Sequence, residues 1–246
     1  VSLGPYPESM RSPMPRPSTL SFVLALTLAA CGGDDDPAPR PDGLGSWAVG
    51  HTSFVLTDPA RGDRKLPVDV WYPVDAADRQ DGPYTAYPLM AIIELESAVA
   101  VDDLPVSGRA DQTLIVFSHG YGGINTQSIG LMETLASHGF IVVAVEHTGN
   151  AQGSMTDDFD TAASRRVPDV SFVIDEMLAR SADPADRFYG RIDPQAVGVV
   201  GHSFGGAIAT EMALHDPDRV RGLVLLSPAG YHRFPWWVKG GSHVVL

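Results

Sequence analysis

The feature that most constrains this chain is Gly201-His202-Ser203-Phe204-Gly205, with Gly206 behind it. A short apolar run, Ala196-Val197-Gly198-Val199-Val200, leads into it. Ala207-Ile208-Ala209-Thr210-Glu211-Met212-Ala213-Leu214 leads out with helical composition. A strand that turns directly into a helix at G-x-S-x-G leaves the backbone little choice. The turn is tight enough to hold the Ser in strained backbone, and the flanking glycines give room where a Cβ would clash. The hydroxyl is lifted above the C-terminal edge of a sheet, at the N-terminus of a helix whose dipole favours developing negative charge. An incidental Ser in a glycine-rich turn is the competing interpretation. The strand before and the helix after favour Ser203 as a nucleophile, with Gly201, His202 and Gly205 as the elbow around it.

The rest of the chain is consistent with such a sheet. Leu114-Ile115-Val116-Phe117 and Phe140-Ile141-Val142-Val143-Ala144-Val145 are continuous apolar runs, as in strands buried on both faces. Gly222–Leu226 is another. Asn125–His138 reads as a helix with Ile129, Met132, Leu135 and Ala136 on one face and Gly139 as its stop. Val170, Val173, Ile174, Met177 and Leu178 fall at i, i+3, i+4, i+7 and i+8 of a second helix. Strands alternating with helices predict an α/β fold: a mostly parallel central sheet with helices on both faces. Upstream, His51–Thr57 and Lys65–Tyr72 read as two strands. Asp75–Tyr87 and Glu146–Val167 read as loops, and Met90–Val101 as a helix or a lid-like insertion.

Acyl transfer needs donors for an oxyanion as well as a nucleophile. His119-Gly120-Tyr121-Gly122-Gly123 follows the first central strand directly. It is the kind of loop that supplies one backbone N–H, the residue after the Ser supplying the other. Here those would be the amides of Tyr121 and Phe204.

Three blocks resemble the platelet-activating-factor acetylhydrolase group of α/β-hydrolases, whose relatives include dienelactone-hydrolase-like proteins and cutinase-like polyester hydrolases. They are Phe117–Gly123, Leu135–His147 and Gly201–Gly206, and the likeness extends in order from about Trp47 to Ala229. The resemblance implies the α/β-hydrolase fold and a serine esterase that works through an acyl-enzyme on Ser203. It also implies an oxyanion hole at Tyr121 and Phe204, a small ester or lipid substrate, and no metal or organic cofactor.

The departure lies after Ser203. In this fold the acid and then the His follow the Ser in chain order. The acids that follow are Glu211, Asp216 and Asp218, and Ser227 stands where the family can place its acid. The chain is therefore expected to be a C-terminally truncated or frameshifted form of a longer enzyme. Gly240-Gly241-Ser242-His243 loosely resembles the run around the family's catalytic His, which makes His243 a candidate base; a His beyond Leu246 is the alternative. His119 is expected to brace the oxyanion loop, and His147 to be structural or to line the pocket. His202 is expected to be structural, and His51, His138 and His215 to lie at the surface. Asp157, Asp158 and Asp160 are expected to be solvated rather than a cation site. Trp236 and Trp237 are expected in the core or at a truncation surface.

The N-terminus reads as a targeting segment. Arg11 and Arg16 precede an apolar run from Leu20 to Ala30. That is too short for a span, which needs about 20 apolar residues. Leu28-Ala29-Ala30-Cys31 resembles the lipobox of bacterial lipoproteins, and Cys31 is the only cysteine. The expected organisation is a signal peptide over 1–30, a Gly/Asp/Pro-rich tether over 31–46 and a hydrolase domain over 47–246. A lipid on Cys31 would hold the domain to an extracytoplasmic membrane; a secreted form is the alternative. A net charge of −13 without basic clusters argues against nucleic acid. Two functions remain open, an ester hydrolase and a non-catalytic remnant that binds ligand without turnover. A third expectation is poor folding, with Gly222–Leu226 as an unprotected edge.

Overall fold

A computed structural model describes residues 43–90, 93–227 and 243–245. In chain order the strands are β1 (Ala48–Asp58), β2 (Arg64–Val74), β3 (Ala86–Met90), β4 (Ile93–Glu96), β5 (Ala100–Asp102) and β6 (Gln112–Ser118). Then come α1 (Ile129–Ser137), β7 (Ile141–Val145), β8 (Asn150–Ala151), β9 (Ser154–Met155) and α2 (Phe159–Ala182). The last elements are β10 (Ile192–His202), α3 (Phe204–His215), β11 (Val220–Leu226) and β12 (His243–Val245).

Eight strands form one sheet in the order β12-β11-β10-β6-β7-β2-β1-β5. Only β2 runs against its neighbours, β1 and β7, so the sheet is mostly parallel as expected. Alternate residues of the central strands feed two separate cores. Val116, Val143 and Val199 pack with Val170, Val173 and Met212 of α2 and α3. Phe117, Val142, Ala144 and Val200 pack with Met132 and Ala136 of α1. Burial on both faces is why these strands read as unbroken apolar runs.

Four local expectations change. Phe159–Val167, expected as loop, is the start of α2. Asp158 caps it by accepting from the Thr161 amide (2.8 Å), and the helix continues through Pro168. Tertiary packing holds what a mid-helix proline disfavours. Met90–Val101, expected as helix or lid, contains the end of the β3–β4 hairpin and the start of β5. His51, expected at the surface, is buried, with one ring nitrogen 2.7 Å from Asp69 and the other 2.7 Å from Asp102. β11 is not the sheet edge, because β12 pairs with it in parallel along Gly222–Val224. Residues 1–42 lie outside the described residues. The expectations for the signal peptide, Cys31 and the start of the tether therefore have no structural counterpart here, and the same holds for those on Trp236 and Trp237.

Candidate active site

β10 ends at His202 and α3 starts at Phe204, so Ser203 alone makes the corner. Its backbone has φ 52° and ψ −115°, the strained geometry that the motif requires of a non-glycine residue. The corner closes only because two neighbours have no Cβ. One on Gly201 would stand 2.1 Å from Gly205 O, and one on Gly205 would stand 1.9 Å from Ser118 O. The Ser203 amide donates to Leu226 O (2.9 Å), which ties the elbow to the end of β11.

The His119–Gly123 loop leaves the end of β6, beside β10, and passes over the elbow. A Cβ on Gly120 would stand 3.6 Å from Ser203 Cβ. The rings of Tyr121 and Phe204 are 5.6 Å apart. Among the described residues, neither the Tyr121 nor the Phe204 amide hydrogen-bonds a protein acceptor. Two unengaged amides beside a strained Ser are what an oxyanion hole offers. Gln127 steadies the loop, its Oε1 accepting from the Gly120 amide (2.9 Å) while its Nε2 lies 3.1 Å from His202 Nδ1. His202 is thereby occupied beside the nucleophile rather than on it. Phe159 lies against Phe204, with ring centres 4.9 Å apart, and Tyr121, Phe159 and Met155 are exposed. The mouth of the site is an apolar face.

Beneath the loop lies a buried polar network. His119 is neutral: burial, then His147 and Arg166, hold its pKa well below the ordinary value. Its Nδ1–H donates to Gly120 O (2.7 Å), while Nε2 accepts from the His147 amide (3.2 Å). The expectation that it braces the loop agrees with these contacts. His147 is fully buried, and burial pushes its pKa down to about 4. Its Nδ1–H donates to Asp169 Oδ2 (2.9 Å) and its Nε2 accepts from Ser118 Oγ (2.9 Å). Ser118, His147 and Asp169 thus reproduce the order of a catalytic triad, but all three are fully buried and cannot meet a substrate. Burial alone would raise the Asp169 carboxyl, but hydrogen bonds from Arg64 and His147 hold it well below the usual carboxylate range. Arg61 adds a further contact of 2.6 Å.

His243 is not brought to Ser203. It stands level with Gly222, whereas His202, the last residue before the elbow, stands level with Leu226. At ~3.3 Å per residue, His243 lies about 13 Å back from the level of the elbow, and two strands across. This register does not support it as the base. Among the described residues no imidazole or carboxylate hydrogen-bonds the Ser203 hydroxyl. Glu211 is paired with exposed His215 instead. His138 is half-buried, with its Nε2 3.0 Å from Gly43 O. The Asp157 carboxylate, expected to be solvated, is instead largely buried and takes Arg165 (2.6 Å), while Asp158 caps α2. No group of three or more metal-ligating side chains occurs among the described residues.

The comparisons with known proteins agree with this geometry. A family model described as "alpha/beta hydrolase fold" matches residues 113–241. Cutinase est1 of Thermobifida alba is 31% identical over 114 residues, covering 46% of this chain and 34% of that protein. Platelet-activating factor acetylhydrolase of Canis lupus familiaris is 30% identical over 261 residues, covering 79% of this chain and 58% of that protein. The structure of ferulic acid esterase from Streptomyces cinnamoneus matches with a TM-score of 0.55 at 27% identity, over 75% of this chain and 60% of that one. The chain spans between 25% and 58% of the length of curated relatives such as these. With the family model matching more than half of its length, and with this sheet and elbow, the chain belongs to the α/β-hydrolase fold family.

Proposed function

We propose that this chain hydrolyses carboxylic esters through an acyl-enzyme on Ser203. The observation that carries the proposal is the elbow: a strained Ser at a helix N-terminus, with the unengaged Tyr121 and Phe204 amides beside it. Ser203 Oγ adds to the acyl carbon and its proton passes to an imidazole outside the described residues. The carbonyl oxygen becomes an oxyanion held by the two amides. The C–O bond to the alcohol then breaks and the alcohol leaves with that proton. Water repeats the sequence on the acyl-enzyme, releases the acid and restores the hydroxyl. The exposed apolar rim of Tyr121, Met155 and Phe159 suits an apolar acyl or aromatic group. The cutinase, acetylhydrolase and esterase names of its relatives support the same bond type.

The test is turnover of p-nitrophenyl butyrate and labelling by a fluorophosphonate, with Ser203→Ala alongside. Labelling mapped to Ser203, and turnover lost in the Ala variant, are expected. A folded chain that does neither would instead favour the second reading, a ligand-binding hydrolase fold without turnover. That reading draws on the absence of a described imidazole at the Ser203 hydroxyl. Attachment to an extracytoplasmic membrane by a lipid on Cys31 belongs to the proposal and is supported by the residues around that cysteine. It predicts that Cys31→Ser moves the chain from the detergent phase to the aqueous phase; unchanged partitioning refutes it.

A further inference from the structure

We infer that Arg166 is a positioning residue for the oxyanion hole, its buried guanidinium fixing and polarising the Gly120–Tyr121 peptide from behind. The inference rests on the ester-hydrolase reading above. Arg166 lies in the early turns of α2 and is fully buried. Its Nη1 donates to His119 O (2.5 Å) and its Nη2 to Gly120 O (3.0 Å). Nη2 also reaches Asn150 Oδ1 (2.5 Å) and Asn150 O (3.2 Å). None of these acceptors is a carboxylate. The nearby acid, Asp169, is hydrogen-bonded by Arg61, Arg64 and His147 instead. Arg166 Nε has no acceptor among the described residues. A fully buried guanidinium without a carboxylate in hydrogen-bond contact is costly to hold, and ordinary packing would not ask for one.

The oxygen that Arg166 holds identifies its use. Gly120 O and the Tyr121 N–H belong to one planar peptide and point in opposite directions across it. Pinning the oxygen from below aims the N–H at the other side, where Ser203 lies. Three donors converge on this oxygen: Arg166 Nη2, His119 Nδ1 (2.7 Å) and the Gly123 amide (3.1 Å). A cation on the oxygen draws electron density through the peptide and makes its N–H a stronger donor. The same guanidinium lies 4.9 Å from the centre of the Phe204 ring, on the residue that offers the other amide. One side chain therefore touches both halves of the hole. Its charge sits behind the place where negative charge develops, in a setting that water does not screen.

The experiment compares Arg166→Lys and Arg166→Met with the wild-type chain in p-nitrophenyl butyrate turnover, separating kcat from KM, with the melting temperature followed alongside. Arg166→Met is expected to lower kcat by about tenfold to a hundredfold with KM within about threefold, because the loss falls on the transition state. Arg166→Lys keeps a charge but cannot fork across both carbonyls, so it should recover part of kcat. If the Met variant does not fold, the Lys variant decides alone: a lower kcat at unchanged KM supports the inference. A folded variant with wild-type kcat, or parallel losses of kcat, KM and melting temperature without Lys rescue, overturns it. An inert wild-type chain removes the hydrolase reading and this inference together. An active wild type with an equally active Arg166→Met removes this inference alone.

Discussion

Gly205→Ala is the sharpest probe of the elbow. Gly205 is the second residue of α3, and it presses against the end of β6. An added Cβ would stand 1.9 Å from Ser118 O, 2.6 Å from Ser118 C and 2.7 Å from His119 O. A carbon needs about 3.5 Å to such neighbours, so the helix or the strand end must retreat by about 1.5 Å. All three obstructing atoms are backbone, in the last residue of a central strand and the first of the His119–Gly123 loop, so no side chain can swing aside. Over-packing of this kind costs about 3 kcal/mol, at the upper end of its usual range. At ~2–4 °C per kcal/mol for a domain of this size, the melting temperature should fall by roughly 6–12 °C. The same displacement separates Ser203 from the Tyr121 amide, and a shift on the order of 1 Å in a catalytic constellation costs about a hundredfold in rate. Gly130→Ala is the matched control: it lies on the exposed face of α1 with nothing within 4 Å of its Cβ position, and should be neutral or stabilising. Calorimetry on the two variants, with p-nitrophenyl butyrate turnover, gives the comparison. A Gly205→Ala chain that melts within about 2 °C of wild type, well short of that shift, and stays active would refute the packing argument.

Two further outcomes concern pH. Burial holds His147 neutral with a pKa of about 4 against the ordinary 6.5, so its contribution is present above pH 6.5 and is lost as pH falls from 6.5 towards 4. At 1.36 kcal/mol per pH unit this amounts to about 3 kcal/mol. Urea midpoints should fall across that window and His147→Gln should flatten the fall; midpoints that stay level in wild type contradict it. His51 has the opposite sign. Burial alone would lower its pKa, but hydrogen bonds to Asp69 and Asp102 outweigh burial and raise it. Its contribution is complete below pH 6.5 and is lost as pH rises through the raised value. Melting temperatures taken on the alkaline side should decline more steeply in wild type than in His51→Leu, and parallel declines would count against the ion bridge.

Most of the sheet and the elbow were legible because each depends on residues adjacent in sequence. Gly201, Ser203 and Gly205 report a turn that only small residues can close, and the apolar runs around Val116, Val143 and Val199 report burial on both faces. His243 shows the limit of such local reading. A Gly-x-x-His pattern says what chemistry a residue can do but not which end of a strand it occupies, and the pairing with Gly222 places it at the far end. His51 fails for a related reason. A histidine on a strand of mixed pattern looks exposed until Asp69, from the paired strand, and Asp102, from β5, arrive on either side of its ring.

The network under the His119–Gly123 loop is hidden for a different reason, though the sequence carries one signal for it. Arg61 and Arg64, His147, and Arg166 and Asp169 come from three separate stretches, and no motif links them. Within α2, however, the buried stripe can be followed backwards. Met177, Val173 and Val170 continue at helical spacing to Asp169, Arg166 and Ala162, all of them buried. An amphipathic stripe that keeps its period while its residues turn charged is not a helix end. It is a helix whose buried face changes from holding a core to holding a polar group. The polar composition of Glu146–Val167 reads as a loop instead, because composition there outweighs period. The physical cost of burying Arg166 without a bonded carboxylate is the reason to expect a task for it, and the two carbonyls it holds belong to the loop beside Ser203.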